Sequence, residues 1–206
     1  MANFKCFNVG FLETNCYVVY SETSNVAILI DVGGGYKRIK DFLESINKTP
    51  TGVLLTHGHF DHLIDIIKWQ NEGVKVYVHK DDEEFLNSSD KRIKQVGLFL
   101  GESNPDFLVD NDEVLKFADD IEFRVIHTPG HSKGSVCYLL NEKYLFAGDT
   151  VFYKSYGRTD LHGGDYQTIV KSIKKLLASL DEDVIILPGH GEFSTVKIER
   201  EYNPTV

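Results

Sequence analysis

The segment that most constrains the fold of this chain is Thr56–His62, which reads THGHFDH. It follows a short apolar run typical of a β-strand. Side chains alternate along an extended backbone, so His57, His59 and Asp61 can project to the same side. If the chain then turns into a helix, His62 can swing toward the same cavity. This density of imidazoles and carboxylate suits two adjacent divalent cations better than one structural zinc ion. The segment therefore predicts a strand that ends at a two-metal pocket.

Three further residues of the metal-binding type each stand in a loop directly after an apolar run. They are His131 in TPGH, Asp149 in AGD and His190 in LPGH. Loops on a rigid scaffold commonly present functional residues, and the proline and glycine before each histidine fix a tight turn. The sequence thus predicts seven metal ligands, with the carboxylates of Asp61 and Asp149 also catalytic: His57, His59, Asp61, His62, His131, Asp149 and His190.

Short β-rich runs are interleaved with a few helical patterns. The predicted strands are Phe4–Phe11, Cys16–Tyr20, Val26–Asp31, Val53–Leu55, Val74–Val78, Val114–Phe117, Ile121–Ile126, Ser135–Leu140, Tyr144–Ala147 and Val184–Leu187. Helical spacing is found at Ile39–Ile46, Leu63–Trp69, Glu83–Leu86 and Val170–Leu180, whereas Asn87–Glu113 is less regular and the C-terminus is short and polar. The two halves are alike, since each has a strand that ends in an acid beside glycine, then a helix, then a strand that ends at histidine. Two mixed sheets packed back to back, with helices outside, satisfy this pattern.

Length and composition are those of a globular protein. The 206 residues fit one domain spanning 1–206, and the net charge of −9 argues against nucleic acid or an anionic membrane surface as the partner. The chain lacks a signal-peptide pattern and any apolar stretch of the roughly 18 residues that a membrane span needs, so we expect a cytoplasmic protein. Cys6, Cys16 and Cys137 lie in strand-like runs, and we expect buried, reduced thiols.

The order of the motifs HGHFDH, TPGH, GD and PGHG resembles that of the metallo-β-lactamase superfamily. The resemblance implies an α/β fold, the four-layer αββα sandwich of that superfamily. It also implies that His57, His59 and His131 bind a first metal, that Asp61, His62 and His190 bind a second, and that Asp149 bridges the two. The C-terminal EREYNP is similar to that of short glyoxalase II-like (hydroxyacylglutathione hydrolase-like) hydrolases, so the likeness extends to the end of the chain.

This resemblance implies a metal-dependent hydrolase that cleaves S-lactoylglutathione or a related small acyl thioester by a metal-bridging hydroxide. Because a thiol has a pKa of about 8.5, the thiolate leaves without a general acid. Imidazole and carboxylate ligands accept zinc, iron or manganese, and we expect two divalent ions, with zinc the first choice. The sequence leaves the oligomeric state open.

Two other functions remain possible from the sequence: a mono-iron persulfide dioxygenase, and a lactonase or other ester hydrolase. Penicillin hydrolysis is not expected, because classical two-zinc β-lactamases of this superfamily carry cysteine where Asp149 stands. Glyoxalase II enzymes with full glutathione specificity have a helical C-terminal domain, whereas 16 residues follow His190 here. That departure bears on glutathione recognition rather than on hydrolysis.

Candidate substrate-binding residues lie after the predicted bridging acid. Tyr156 and Arg158 fall where glyoxalase II relatives place residues that contact a carboxylate of glutathione, but Arg158 could equally pair with Asp160. His162 is a candidate for the pocket mouth, and the apolar segment Leu98–Leu108 is a candidate substrate-covering wall.

Of four other features, one has two interpretations and three are expected to have structural roles. Asp31 could orient a metal ligand or cap the helix that follows it. His79 and His127 are expected to be structural. The triple glycine at 33–35 lacks the pattern of a phosphate-binding loop, and we expect a turn with positive φ.

Overall fold

The computed structural model describes residues 2–86 and 103–206. The strands are β1 Asn3–Val9, β2 Thr14–Tyr20, β3 Val26–Ile30, β4 Thr49–Leu54, β5 Lys75–His79, β6 Phe107–Val109, β7 Val114–Ala118, β8 Ile121–His127, β9 Val136–Leu140, β10 Tyr144–Gly148, β11 Val151–Phe152, β12 Ser155–Tyr156, β13 Ile185–Pro188 and β14 Ser194–Thr195. The α-helices are α1 Tyr36–Ser45, α2 Ile66–Asn71, α3 Tyr166–Ser179 and α4 Val196–Tyr202, and there are 3-10 segments at Phe60–His62 and Lys80–Leu86. Residues 87–102 of the predicted irregular segment, and 98–102 of the predicted wall, lie outside the described residues.

Two six-stranded mixed sheets form the framework. The first has the order β1-β2-β3-β4-β5-β6, antiparallel from β1 to β3 and parallel from β3 to β6. The second has the order β14-β13-β10-β9-β8-β7, in which only the β13–β10 pair is parallel. The parallel strands matter for function, because their carboxyl ends meet at one edge of each sheet.

Three apolar layers hold the framework together. The central layer lies between the sheets and includes Tyr17, Phe123 and Phe146. A second layer packs α1 and α2, through residues such as Trp69, against the first sheet, and a third packs α3, through residues such as Ile173, against the second. The order of layers is therefore helix, sheet, sheet, helix, and the predicted αββα sandwich is confirmed.

The predicted helix Leu63–Trp69 was wrong at its start. The chain forms a 3-10 turn at Phe60–His62, and α2 begins only at Ile66. The residues between them are held by Val32, whose amide donates to the His62 carbonyl at 2.6 Å and whose carbonyl accepts from the Asp65 amide at 2.9 Å. Because these backbone groups bond across the fold, they do not form helical hydrogen bonds.

Two other predictions, one of a strand boundary and one of the C-terminus, were also wrong. The strand predicted to reach Phe11 ends at Val9, because the chain turns between Gly10 and Glu13 and leaves Phe11 69% exposed. The C-terminus is not merely polar, since it contains α4. The pattern was hidden because Glu199, a charged residue, is fully buried in this helix.

The triple glycine forms the expected turn, with φ of 147° at Gly34 and 72° at Gly35 just before α1. All three cysteines are free thiols. Cys16 and Cys137 are buried as predicted, and Cys6 is half-buried. Within the described ranges, no helix is both long and apolar enough to cross a bilayer.

Candidate metal centre

The seven predicted metal ligands follow the ends of four strands. The segment from His57 to His62 comes after β4 in the first sheet. His131 follows β8, Asp149 follows β10 and His190 follows β13, all in the second sheet. These strand ends lie on the same side of the sandwich, and the seven side chains meet there as three overlapping groups of close ligand atoms.

The first group contains His57, His59 and His131. Nε2 of His131 lies 2.8 Å from Nδ1 of His59 and 3.2 Å from Nε2 of His57. Two nitrogens each about 2.1 Å from a tetrahedral zinc ion lie roughly 3.4 Å apart. The spacing of the three imidazoles is therefore close to that of a metal site.

The second group contains Asp61, His62 and His190. Nε2 of His190 lies 3.2 Å from Oδ2 of Asp61 and 3.3 Å from Nε2 of His62. The 3-10 turn at Phe60–His62 produces this convergence, because it directs consecutive residues of the motif into one pocket.

Asp149 lies between the two groups. Its Oδ2 is 3.5 Å from Nε2 of His131 in the first group and 3.7 Å from Nε2 of His190 in the second. Its Oδ1 is 3.4 Å from Nε2 of His62, and this buried oxygen accepts no hydrogen bond from the residues that the structure describes. A buried carboxylate oxygen without a hydrogen-bond donor is costly, and a cation would satisfy it.

In four of the histidine rings, Nδ1 contacts a polar group outside the centre, which leaves Nε2 to face the centre. Nδ1 of His131 donates to the Arg158 carbonyl at 2.7 Å, and Nδ1 of His190 donates to the Leu12 carbonyl at 3.0 Å. Nδ1 of His62 lies 2.9 Å from the Asp31 carboxylate, and Nδ1 of His57 lies 3.1 Å from the Thr56 hydroxyl. This network assigns the Nε2 lone pairs to the interior. Lone pairs this close repel each other unless a proton or a metal ion lies between them.

The protonation tendencies of the two groups differ. Burial lowers the pKa of His57 well below its usual value, and the neighbouring imidazoles add to the shift, so this ring is neutral. Burial alone would lower the pKa of His62, but the carboxylates of Asp31 and Asp149 outweigh it and raise the pKa to about 10. Burial alone would raise the pKa of Asp61, but hydrogen bonding and charge from neighbouring imidazoles hold it below its usual value. Both groups fit divalent cations, since the first offers neutral imidazole and the second is rich in negative charge.

Comparison with known proteins gives the same picture of the fold. The sequence profile described as "Metallo-beta-lactamase superfamily" matches residues 9–190. The chain belongs to the metallo-β-lactamase superfamily. It is similar to "Hydroxyacylglutathione hydrolase GloC" of Haemophilus influenzae, with 34% identity over 210 residues that cover 98% of this chain and 97% of that protein.

Two similar solved structures cover almost the whole chain. "BLEG-1 B3 metallo-beta-lactamase" has a TM-score of 0.89 and 35% identity and covers 98% of both chains. "TTHA1623 in a di-iron-bound form" has a TM-score of 0.85 and 28% identity and covers 98% of this chain and 100% of that chain. Enzymes of the superfamily are metal-dependent hydrolases, and the histidine and aspartate groups here are compatible with a two-metal site.

Asp31 orients a predicted ligand. Its carboxylate accepts from the Thr56 amide at 2.9 Å and from the Thr56 hydroxyl at 2.8 Å, and it lies 2.9 Å from Nδ1 of His62. The helix after the glycines has Gly35 as its N-cap, without a side-chain cap, so Asp31 does not cap it. Of the two readings of Asp31, the structure supports the one that orients a ligand.

Residues at the start of β2 also support the centre and were missed from sequence. The Asn15 amide side chain donates to the carbonyls of Pro188 at 3.1 Å and Gly191 at 3.0 Å. The Tyr17 hydroxyl donates to the Pro188 carbonyl at 2.6 Å. These bonds fix the loop that carries His190. Each partner is more than 170 residues away in sequence, so no local pattern could have revealed the contact.

The predicted substrate residues lie on the second-sheet side of the centre. Both guanidinium contacts of Arg158 are with the Asp160 carboxylate, at 2.7 and 2.8 Å, and both side chains are exposed. The ring of Tyr156 packs near Tyr166, with centroids 5.9 Å apart. His162 lies 3.3 Å from a Glu84 oxygen at the surface. The structure thus shows the Arg158–Asp160 pair that the sequence left open.

A further set of metal-type side chains, His79, Asp81 and His127, lies at another position. The two imidazole rings stack with centroids 4.1 Å apart and planes within 14°. Because a metal lies close to the plane of each imidazole that binds it, two rings stacked face to face cannot both direct their lone pairs to one ion. We therefore interpret these two histidines as a stacked pair, in keeping with the expected structural role.

Proposed function

We propose that this chain is a binuclear metal-dependent hydrolase that cleaves small acyl thioesters such as S-lactoylglutathione. The observation that carries the proposal is the position of Asp149, whose carboxylate lies within 3.4–3.7 Å of imidazoles from both ligand groups. A shared carboxylate is the natural bridge between two adjacent cations.

In this proposal His57, His59 and His131 hold the first ion, Asp61, His62 and His190 hold the second, and Asp149 contacts both. All seven side chains offer imidazole nitrogen or carboxylate oxygen, which zinc, iron and manganese accept. We propose zinc, with iron as the alternative because a di-iron form is known for TTHA1623.

Two divalent ions at these positions would supply a hydroxide nucleophile at neutral pH and a Lewis acid for the substrate carbonyl. The protein residues provide orientation and charge. Hydrogen bonds to Asp31 and to the Arg158 carbonyl fix the rings of His62 and His131. Asp61 stays ionised at neutral pH because its pKa is held low, so it can accept a hydrogen bond from the attacking group.

The preference for a thioester rests on the leaving group. A thiolate departs without protonation, whereas an amine or an alkoxide needs a proton donor. No such donor is needed from the residues around the centre if the substrate is a thioester. The relative named hydroxyacylglutathione hydrolase in Haemophilus influenzae supports the same substrate class at 34% identity.

A second candidate is β-lactam hydrolysis, because one similar structure is that of a B3 metallo-β-lactamase at 35% identity. The classical two-zinc β-lactamases, which carry cysteine at this position, still differ from this chain, because an aspartate stands at position 149. The mono-iron persulfide dioxygenase is a further alternative, which the complete second ligand group disfavours.

Metal analysis combined with a substrate panel separates these functions. We expect two metal ions per chain, hydrolysis of S-lactoylglutathione or another acyl thioester, and no oxygen uptake. If the protein hydrolyses nitrocefin but none of the thioesters, the β-lactamase alternative is established. One iron per chain with oxygen consumption on glutathione persulfide would establish the dioxygenase.

The ligand role of Asp149 is tested by Asp149→Asn. We expect loss of at least one metal and of thioester hydrolysis, while the fold remains intact by circular dichroism. The control is Asp120→Asn, which makes the same change in a carboxylate at the far end of β2, where Asp120 accepts from the Ser21 hydroxyl and the Glu22 amide. Two bound metals and wild-type activity in Asp149→Asn would contradict the proposal.

The substrate-binding role of Arg158 stays a proposal and requires its guanidinium to exchange Asp160 for a substrate carboxylate. Arg158→Ala should then raise KM for a carboxylate-bearing thioester about tenfold to a hundredfold while kcat is unchanged. A thioester without that carboxylate should show little change. An unchanged KM for both substrates would leave Arg158 as the partner of Asp160 alone. We keep Tyr156 as a candidate through its position two residues before Arg158.

A further inference from the structure

Asp82 is a buried acid that the chemistry above does not use. It lies in the 3-10 segment Lys80–Leu86 that follows β5 and is 0% exposed. A buried carboxylate is costly unless hydrogen bonds satisfy it. The identity of its donors therefore indicates what the residue does.

Within the described part of the chain, Asp82 has three hydrogen-bond donors, and all of them come from the loops that carry the first ligand group. Its Oδ2 accepts from the Gly58 amide at 2.9 Å and from the Ser132 hydroxyl at 2.6 Å. Its Oδ1 accepts from the Gly134 amide at 2.7 Å. Gly58 lies between His57 and His59 in the chain.

The loop that carries His131 is also held by hydrogen bonds between its own residues. Ser132 directly follows His131, and its hydroxyl lies 2.7 Å from that of Ser135. The Ser132 amide donates to the same Ser135 hydroxyl at 3.0 Å. One carboxylate thus ties together two loops from different sheets, at the residues adjoining all three histidines of the first group.

The same 3-10 segment makes a further contact with this group. The ring of Phe85 packs edge-to-face on the imidazole of His59, with centroids 5.5 Å apart. The second ligand group is positioned by other residues, namely Asp31 at His62 and Asn15 near His190. The contacts of Asp82 are therefore specific to one metal position.

We propose that Asp82 is a positioning residue for the first metal position. It binds no metal; instead it fixes the distance between the His57–His59 loop and the His131 loop, so that three imidazole nitrogens converge. This inference rests on the proposed two-metal centre. Outer residues that orient metal ligands typically contribute tenfold to a hundredfold in metal affinity.

The test uses Asp82→Asn in two single-site backgrounds. In Asn, one carboxylate oxygen becomes an NH₂ group, so at least one donor loses its acceptor. His190→Ala leaves the first ligand group complete, and His59→Ala leaves the second complete. Zinc affinity is measured in each by competition with a chromophoric chelator. We expect Asp82→Asn to weaken zinc binding tenfold to a hundredfold in the His190→Ala background and less than threefold in the His59→Ala background.

Glu199→Gln is the matched control for a general loss of stability. Glu199 is also a fully buried carboxylate that accepts a backbone amide, from Lys154, and a serine hydroxyl, from Ser194. It bonds to neither metal loop. We expect this variant to lower the melting temperature while zinc affinity at both positions is retained.

Several outcomes would overturn the proposal. Equal weakening of the two positions by Asp82→Asn, or no weakening, would make Asp82 a purely structural residue, as would the same zinc loss in Glu199→Gln. If Asp82→Asn does not fold, Ser132→Ala removes one of the three donors and should weaken the first position about twofold to tenfold; an unchanged affinity there would refute the inference. A wild-type protein that binds no zinc, iron or manganese would instead refute the two-metal centre itself.

Discussion

Gly189 stands where a single methyl group should disturb the centre. A Cβ atom added at this position would lie 2.2 Å from Oδ1 of Asp149 and 2.8 Å from Cε1 of His62. The loop cannot move away easily, because the Gly189 amide donates to the Gly148 carbonyl at 2.8 Å and its carbonyl accepts from the Asn15 amide at 2.7 Å. Gly189→Ala should therefore displace the Asp149 carboxylate.

The expected magnitude follows from this overlap. Overpacking of a dense site costs about 1–3 kcal/mol, and a misplacement of ~1 Å at a reacting centre costs about a hundredfold in rate. We expect Gly189→Ala to fold with a lowered melting temperature, to bind metal tenfold to a hundredfold more weakly and to lose about two orders of magnitude in kcat.

Gly191→Ala is the control from the same loop. A Cβ atom there meets no described residue within 4 Å apart from its chain neighbours, but the φ of 75° gives an alanine backbone strain of about 1–2 kcal/mol. This variant should lose stability alone, with metal content and kcat near wild type. Both variants are compared by metal analysis, thermal unfolding and steady-state thioester hydrolysis. Two tightly bound metals and wild-type kcat in Gly189→Ala would refute the reasoning.

Three shorter predictions follow from other contacts. The pKa of His62 is raised to about 10, so protonation of this ring stabilises the metal-free protein fully below its unfolded pKa of ~6.5, and the stabilisation is lost as pH rises toward about 10. The melting temperature of the metal-free protein should therefore decline between pH 6.5 and 9, and this decline should be absent with zinc bound. Asn15→Ala removes both side-chain bonds to the His190 loop and should weaken zinc binding in a His59→Ala background, as measured by chelator competition, whereas unchanged affinity would contradict that role. Burial raises the pKa of Cys137 to about 11, so about one thiol in a thousand is ionised at pH 8, and iodoacetamide should label it only after denaturation, as mass spectrometry would show.

The convergence of the candidate metal ligands was predictable because much of its signal is local. His57, His59, Asp61 and His62 lie within one short segment, and their density is hard to explain otherwise. The remaining three ligand-type residues each follow an apolar run, and strand ends meet at one edge whatever the details of the sheet. The spacing therefore indicated seven converging side chains, and the resemblance to the superfamily assigned them to two groups.

The supporting residues were not predictable because their partners are distant in sequence. Asp82 reads as one member of the acidic run DDEE, which is typical of a solvated surface. Its burial depends on the approach of the Ser132 loop, 50 residues away. Asn15 likewise reads as a turn residue, and its hydrogen bonds to Pro188 and Gly191 exist only once both sheets have packed.

The predicted start of α2 was wrong for a related reason. Apolar spacing from Leu63 onward fits a helix, but spacing does not reveal that Val32 offers backbone partners to His62 and Asp65. Those partners favour a 3-10 turn, and the turn is what directs Asp61 and His62 into the pocket. A local departure from helical propensity thus coincides with the segment that carries four of the candidate ligands.

Three of the four loops that carry the candidate ligands are fixed by a polar side chain from another element. Asp31 holds the Thr56 and His62 region, Asp82 joins the loops of the first group, and Asn15 holds the loop before His190. Such bonds order the imidazoles before any metal arrives, so less conformational entropy is lost when a metal binds. They also gather carboxylates and converging lone pairs in a buried space, which is unfavourable until a cation neutralises them. The metal-free folded protein is therefore destabilised by these converging groups, and a bound cation should raise its free energy of unfolding.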